Sequence, residues 1–197
     1  MVIRLADGTV TTIDFRETAP LAAYKDMFLD DSLNVIPNKS WSTAWSSGVP
    51  GSVAGFGMAH ERYGLLSWEK LLQSSIHLSE YGYKLDLINW LNLNSPYYSN
   101  YLSRDIEAKK IFTKDEGYLV GSFFDLGELF IQKDLAYTLR RISANGYQEF
   151  YNGETAKLFV KCMERTGGLI TMDDLKNYKP IIRDAITFDY RGYTIHS

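Results

Sequence analysis

Strand-like segments lie at both ends of this chain and a mainly helical middle separates them, which limits the folds open to it. Residues 2–15 predict a β-hairpin, because Asp7-Gly8 is a favoured two-residue turn between β-rich runs. Residues 184–197 predict a second strand region that turns at Arg191-Gly192. An isolated hairpin is marginally stable in water, so the two ends must complete a sheet with each other or with further chain. The predicted fold class is therefore α/β (α+β), rich in helix, with strands at both ends.

The middle of the chain carries apolar residues at helical spacing. Gly and Pro residues mark where the helices end or begin, and Thr171 with Asp174 has nearly the spacing of a capping box. The predicted helices are a short one over 21–29, then 52–63, 68–81, 85–104 in two pieces divided at Ser95-Pro96, 133–144, one through Ala156 and Met163 that ends at Gly167-Gly168, and one that begins at Thr171.

Charge and hydropathy exclude several classes of function. The 197 residues include 21 Lys or Arg and 24 Asp or Glu, for a net charge of −3. No basic stripe is visible, so electrostatic capture of nucleic acid or of an anionic membrane has no basis. No apolar run approaches the length of a membrane span. Because both ends fall inside apparent strands, residues 1–197 are predicted to form a single partial domain of a larger protein.

The residues that usually hold metals or act as nucleophiles are sparse. Cys162 is the only cysteine, and its helical spacing with Phe159 and Met163 predicts a buried structural thiol. His60 and His77 are widely separated in sequence and belong to no zinc-binding motif. No metal site and no cofactor are predicted.

The glycine-rich segment Gly48-Val-Pro-Gly-Ser-Val-Ala-Gly55 resembles a phosphate cradle at first sight. It lacks the Lys-Ser/Thr pair of a P-loop, and no clear strand precedes it. The favoured interpretation is a tight entry into a helix that begins near Ser52. Composition and spacing alone assign no function to the chain.

Four segments, in this order, resemble the large subunit of the γ-glutamyltranspeptidase family. Each motif is weak by itself, but their order and spacing together are specific, and the likeness covers nearly the whole chain apart from a looser match over residues 84–125. The segments are Asp14-Phe-Arg-Glu-Thr-Ala-Pro20, Gly48 to Gly55, Gly167-Gly-Leu-Ile-Thr171 and Asp189-Tyr-Arg-Gly-Tyr193.

The resemblance implies an N-terminal-nucleophile hydrolase with an α-β-β-α layered fold, made as a precursor that cuts itself into two subunits. The threonine that begins the small subunit is both nucleophile and, through its α-amine, base. It would attack the γ-glutamyl carbonyl of glutathione or a similar compound. Bacterial members are commonly periplasmic or secreted. Residues 1–197 alone are expected to be inert, and they can self-associate where the small subunit is missing.

The resemblance assigns a role to Arg16, which matches the arginine that binds the substrate's α-carboxylate in the family. A planar guanidinium donates two parallel hydrogen bonds to a carboxylate, and so it orients the substrate without breaking bonds. Without the motif, Arg16 would be read as solvated or paired with Asp14 or Glu17. No catalytic residue is predicted in this chain.

The sequence leaves three alternatives open. A β-lactam acylase or a poly-γ-glutamate depolymerase of the same family would share the scaffold. A non-catalytic helical binding module would share it as well, and that module would have a well-covered surface. An excised piece of an enzyme would instead expose sheet edges and apolar patches.

Overall fold

A computed structural model describes residues 1–114 and 124–197, with the side chain of Ser99 left out. It divides into two compact units, the first made of Met1–Trp68 with Arg141–Ser197 and the second of Glu69–Arg140. In the described residues the strands are β1 (Val2–Arg4), β2 (Val10–Asp14), β3 (Tyr83–Lys84), β4 (Leu129–Phe130), β5 (Ile181–Arg183), β6 (Thr187–Tyr190) and β7 (Tyr193–His196). The α-helices are α1 (Lys39–Ser42), α2 (Ser52–Tyr63), α3 (Trp68–Tyr81), α4 (Leu87–Leu93), α5 (Pro96–Leu102), α6 (Ile106–Phe112), α7 (Lys133–Asn145), α8 (Glu149–Asn152), α9 (Glu154–Thr166) and α10 (Met172–Asn177).

The first unit contains a three-stranded antiparallel sheet in the order β1-β2-β5. The predicted hairpin is confirmed, and Val2 pairs with Thr12. Its turn includes Ala6 as well as the predicted Asp7 and Gly8, because the Leu5 N–H donates to the Thr9 carbonyl at 2.9 Å, and Gly8 has φ 92. Strand β5 was not predicted, and it pairs Ile182 with Ile13. Ile13 is fully buried, so the centre of this sheet forms part of the core.

The core of the first unit is built by α2, α8, α9 and α10. Its buried residues are Val49, Ala54, Tyr151, Ala156, Ile170 and Leu175. The predicted helix ends are confirmed here: Gly167 ends α9 in the left-handed conformation at φ 69, and Thr171 and Asp174 form a complete capping box on α10.

Two predictions about the first unit are wrong. Residues 21–29 form successive turns instead of a short helix, and a turn hydrogen bond joins the Ala23 N–H to the Pro20 carbonyl. Cys162 is exposed, not buried. Six residues turn a helix by about 600°, which places Cys162 about 120° away from the fully buried Ala156. The thiol therefore lies on the outer side of α9, where the guanidinium of Arg165 is 3.6 Å from its sulfur.

The second unit has its own core of Leu85, Phe124 and Phe130. Strands β3 and β4 pair antiparallel beside it. The predicted division at Pro96 is confirmed, since α4 ends at Leu93 and α5 begins at Pro96. Helix α6 was not predicted. Residues 115–123 of the loosely matching region 84–125 lie outside the described residues.

The hairpin of β6 and β7 exposes much of its apolar surface. It turns through Arg191 and Gly192, both with positive φ, as the sequence predicted. Phe188 is 50% exposed and Tyr193 is 73% exposed. The interpretation of the chain as an excised piece and its self-association both stay predictions.

Candidate carboxylate-binding site

Arg16 lies in the loop that follows β2, in the first unit. We call residues 14–21 the Arg16 loop. The Arg16 side chain is 84% exposed, and its guanidinium is 3.0 Å from a carboxylate oxygen of Glu17. An ion pair between two exposed side chains contributes about 0–1 kcal/mol, so a stronger carboxylate ligand can displace it.

Asp14 fixes the start of the Arg16 loop. One carboxylate oxygen accepts a hydrogen bond from the Arg16 backbone N–H at 3.1 Å, and the other accepts from Nε of Arg183 at 2.7 Å. The bond from the Arg16 backbone, and after it the bond from Arg183, hold the pKa of the Asp14 carboxyl below its usual value. Asp14 therefore pairs with Arg183 on β5, and the Arg16 side chain pairs with Glu17 instead.

The glycine-rich segment 48–55 packs against the same loop. The Val49 N–H donates to the Thr18 carbonyl at 2.8 Å. A Cβ atom on Gly51 would lie 2.2 Å from the Phe15 carbonyl oxygen, and one on Gly55 would lie 2.2 Å from the Phe15 ring. The predicted helix entry at Ser52 is confirmed, and these two glycines also make the close approach of α2 to the Arg16 loop possible.

Helix α10 and the residue that follows it hold the Arg16 loop at two further points. Oδ1 of Asp174 accepts a hydrogen bond from the Leu21 N–H at 2.6 Å. The Tyr178 hydroxyl donates to the Arg16 carbonyl at 2.8 Å. The backbone that carries the guanidinium is thus fixed while the side chain itself projects into solvent.

The charge of Asp174 is stabilised inside the fold. Burial raises the pKa of this carboxyl, but hydrogen bonds from Thr171 and from the Leu21 backbone outweigh that effect, and the net result is a lowered pKa. Because the folded-state pKa lies below the unfolded value of about 3.9, the group stabilises the fold above about pH 4. That contribution is lost as pH falls through the folded-state pKa.

The Asp174 carboxylate accepts three hydrogen bonds, from the Leu21 N–H and from the N–H and hydroxyl of Thr171. Because an amide cannot accept all three, the Asp174→Asn substitution is expected to destabilise the full-length protein by about 1–3 kcal/mol at pH 7. The difference between the two proteins should shrink as pH falls below about 4 and through the folded-state pKa of the native carboxyl, where that carboxyl becomes protonated. Denaturant unfolding measured from neutral pH into the acid range checks it. A difference that stays constant throughout the acid range would contradict the role of the ionised carboxylate.

The structure brings three of the four motif segments together around Arg16. The first motif segment lies in the Arg16 loop, and the second is the glycine-rich segment that packs against it. In the third segment, Thr171 positions Asp174. The fourth segment, residues 189–193, lies in the hairpin of β6 and β7. Sequence reasoning missed Tyr178 and Arg183, whose contacts with the loop span 162 and 169 residues of sequence.

In the part of the chain that the structure describes, no three His, Cys, Asp or Glu side chains come together in a way that could hold a metal ion. Among these same residues, no helix has the length and apolarity needed to cross a membrane.

The family model for gamma-glutamyltranspeptidase matches residues 1–197. The chain therefore belongs to the gamma-glutamyltranspeptidase family.

Individual relatives support the same assignment. The chain is 39% identical over 197 residues to the glutathione hydrolase proenzyme of Escherichia coli, which covers 100% of this chain and 33% of that protein. The gamma-glutamyltranspeptidase of Helicobacter pylori superposes with a TM-score of 0.93 at 39% identity, over 100% of this chain and 55% of that chain. The enzyme of Pseudomonas nitroreducens gives 0.88 at 36% identity, over 100% and 55%.

The chain thus spans about a third of the length of the first relative and about half of each solved chain. The predicted fold, a helix-rich α/β (α+β) part of the N-terminal-nucleophile hydrolase architecture, is confirmed by these superpositions.

Proposed function

We propose that the full-length protein transfers or hydrolyses γ-glutamyl groups of glutathione or similar compounds. A threonine nucleophile outside residues 1–197 performs the chemistry. Arg16 binds the α-carboxylate of the substrate. The small subunit, cut from the same precursor, is the partner of this chain, and the mature enzyme is periplasmic or secreted.

The observation that carries this proposal is the contrast between a fixed backbone and an exposed side chain at Arg16. The loop is held by Asp174, Tyr178 and Val49, while the Arg16 guanidinium is 84% exposed. A binding arginine needs this combination, because a fixed backbone lowers the entropy lost when the substrate is oriented.

The chemistry of the guanidinium fits an α-carboxylate. Its parallel N–H groups match the two oxygens of a carboxylate, whereas the ammonium of lysine is a point charge. Glu17 occupies one of these N–H groups at 3.0 Å. A substrate carboxylate would replace it with two charge-assisted bonds, and these hold the γ-carbonyl in a fixed position relative to the nucleophile.

We favour glutathione-type substrates over the substrates of the alternative functions. The 39% identity to a protein named glutathione hydrolase proenzyme supports a γ-glutamyl donor with a free α-carboxylate. A β-lactam acylase or a poly-γ-glutamate depolymerase draws no comparable support. A non-catalytic binding module is disfavoured by the exposed apolar side chains of β6 and β7.

The direct test uses the full-length protein and a chromogenic γ-glutamyl anilide. We expect two subunits on a denaturing gel and release of the anilide by the processed protein. A β-lactam with an acyl side chain and poly-γ-glutamate serve as comparison substrates and should be turned over far more slowly. A single unprocessed chain without turnover would rule out the proposed function.

A further inference from the structure

We propose that Tyr178 is a positioning residue for substrate binding: by holding the Arg16 carbonyl, its hydroxyl fixes the direction in which the guanidinium meets the α-carboxylate. This inference rests on the proposed role of Arg16 and adds a second residue to the same site. Tyr178 would touch no substrate atom and would act only through Arg16.

Tyr178 and Asp174 hold the two sides of one short loop. They stand four residues apart, with Asp174 inside α10 and Tyr178 immediately after it. Asp174 accepts from the N–H of Leu21, and Tyr178 donates to the carbonyl of Arg16. Because both contacts come from one short segment of chain, the loop between them is held from a single rigid base.

The ring of Tyr178 is itself held in place. It stacks on Tyr151, with ring centroids 5.8 Å apart and an interplanar angle of 13°. Tyr151 is only 3% exposed, its hydroxyl donates to the Pro50 carbonyl at 2.8 Å, and the same oxygen accepts from the Ala54 N–H at 3.1 Å. Because Tyr151 is held by residues at the start of α2, the Tyr178 ring that stacks on it is held there as well.

The sequence also leaves room for the Tyr178 hydroxyl. A Cβ atom at Gly51 would lie 2.0 Å from the Tyr178 oxygen. Gly51 is the residue before α2, so its missing side chain lets the hydroxyl pass between the glycine-rich segment and the Arg16 loop. This arrangement aims the hydroxyl at one acceptor, the Arg16 carbonyl.

The ionisation state of Tyr178 suits a donor. Burial, and then the nearby carboxylates of Asp14 and Glu17, raise the pKa of the phenol above its ordinary value of 10. The hydroxyl therefore keeps its proton at neutral pH, and the hydrogen bond to the Arg16 carbonyl stays intact wherever the enzyme operates near neutrality.

A double-mutant cycle tests the inference in the full-length, processed enzyme. The Tyr178→Phe substitution keeps the stacked ring and removes only the hydroxyl. We expect it to raise KM for a γ-glutamyl anilide by about 3- to 10-fold with little change in kcat, the range of one lost neutral hydrogen bond. In an Arg16→Ala background the same substitution should leave kcat/KM unchanged, because the residue it positions is gone.

Tyr24→Phe is the matched control, since Tyr24 is an exposed tyrosine of the same unit. It should leave KM unchanged, and thermal unfolding should show that all variants remain folded. Equal losses of kcat/KM from Tyr178→Phe in both backgrounds would overturn the inference and assign Tyr178 a structural role only. An unchanged KM for Tyr178→Phe, beside a raised KM for Arg16→Ala, would also overturn it and leave the proposed function standing. An unchanged KM for Arg16→Ala itself would overturn the inference together with the proposed role of Arg16, while turnover of the anilide would still support the γ-glutamyl activity.

Discussion

Replacing Arg16 by alanine in the full-length enzyme is expected to raise KM for a γ-glutamyl anilide by about 10- to 150-fold while leaving processing intact. The estimate follows from the loss of hydrogen bonds to a charged group, worth about 1.5–3 kcal/mol. Processing should be unaffected because the Arg16 side chain is 84% exposed. Among the described residues, Glu17 is the only one with which Arg16 forms an ion pair. Steady-state kinetics and a denaturing gel measure the two effects separately.

Two further variants separate charge from geometry at this position. Arg16→Lys keeps the charge but not the paired donors, so it should recover only part of the lost affinity. Arg4→Ala removes another exposed arginine of the same unit, on β1, and should leave KM unchanged. A full recovery by lysine would show that the site needs only positive charge.

Replacing Gly51 by alanine is expected to destabilise the protein by about 1–3 kcal/mol or more. The new methyl group would lie 2.2 Å from the Phe15 carbonyl oxygen and 2.0 Å from the Tyr178 hydroxyl. The tyrosine can move, but the Phe15 carbonyl belongs to the backbone next to Arg16, so the loop itself must shift. We therefore expect a raised KM as well as a lower free energy of unfolding.

Ser52→Ala is the control for this prediction, because Ser52 is the adjacent residue and its side chain is exposed. Denaturant unfolding should place it within about 0.5 kcal/mol of the parent protein. If Gly51→Ala were equally mild and left KM unchanged, the close approach of the glycine-rich segment to the Arg16 loop would be wrong.

The parts of the fold that were predicted correctly are set by local contacts. The hairpin of β1 and β2, the capping box of Thr171 and Asp174, and the left-handed Gly167 each depend on residues a few positions apart. The pairing of β5 with β2 was missed because its register joins Ile13 to Ile182, and no local pattern encodes that pairing.

The two wrong predictions came from local patterns that other interactions override. Apolar residues in 21–29 suggested a helix, but the chain there forms turns directly after Leu21 is held by Asp174. The apolar neighbours of Cys162 suggested burial, although its position on α9 faces away from the core.

The candidate site was predicted through the family resemblance and not through residue chemistry. Local reasoning placed Arg16 beside Asp14 or Glu17, and the structure pairs it with Glu17. The contacts that fix its backbone, from Tyr178 and Asp174, cross more than 150 residues of sequence. Such contacts follow from the packing of α10 on the loop, which a single sequence does not reveal.

The central claim is that Arg16 recognises the α-carboxylate of a γ-glutamyl substrate. The most direct measurement compares kcat/KM for a γ-glutamyl anilide with that for its analogue whose α-carboxylate is a carboxamide, in the native enzyme and in Arg16→Ala. We predict that the native enzyme prefers the carboxylate by about 10- to 150-fold and that Arg16→Ala loses this preference. An equal preference in both enzymes would contradict the claim, since the α-carboxylate would then be recognised elsewhere.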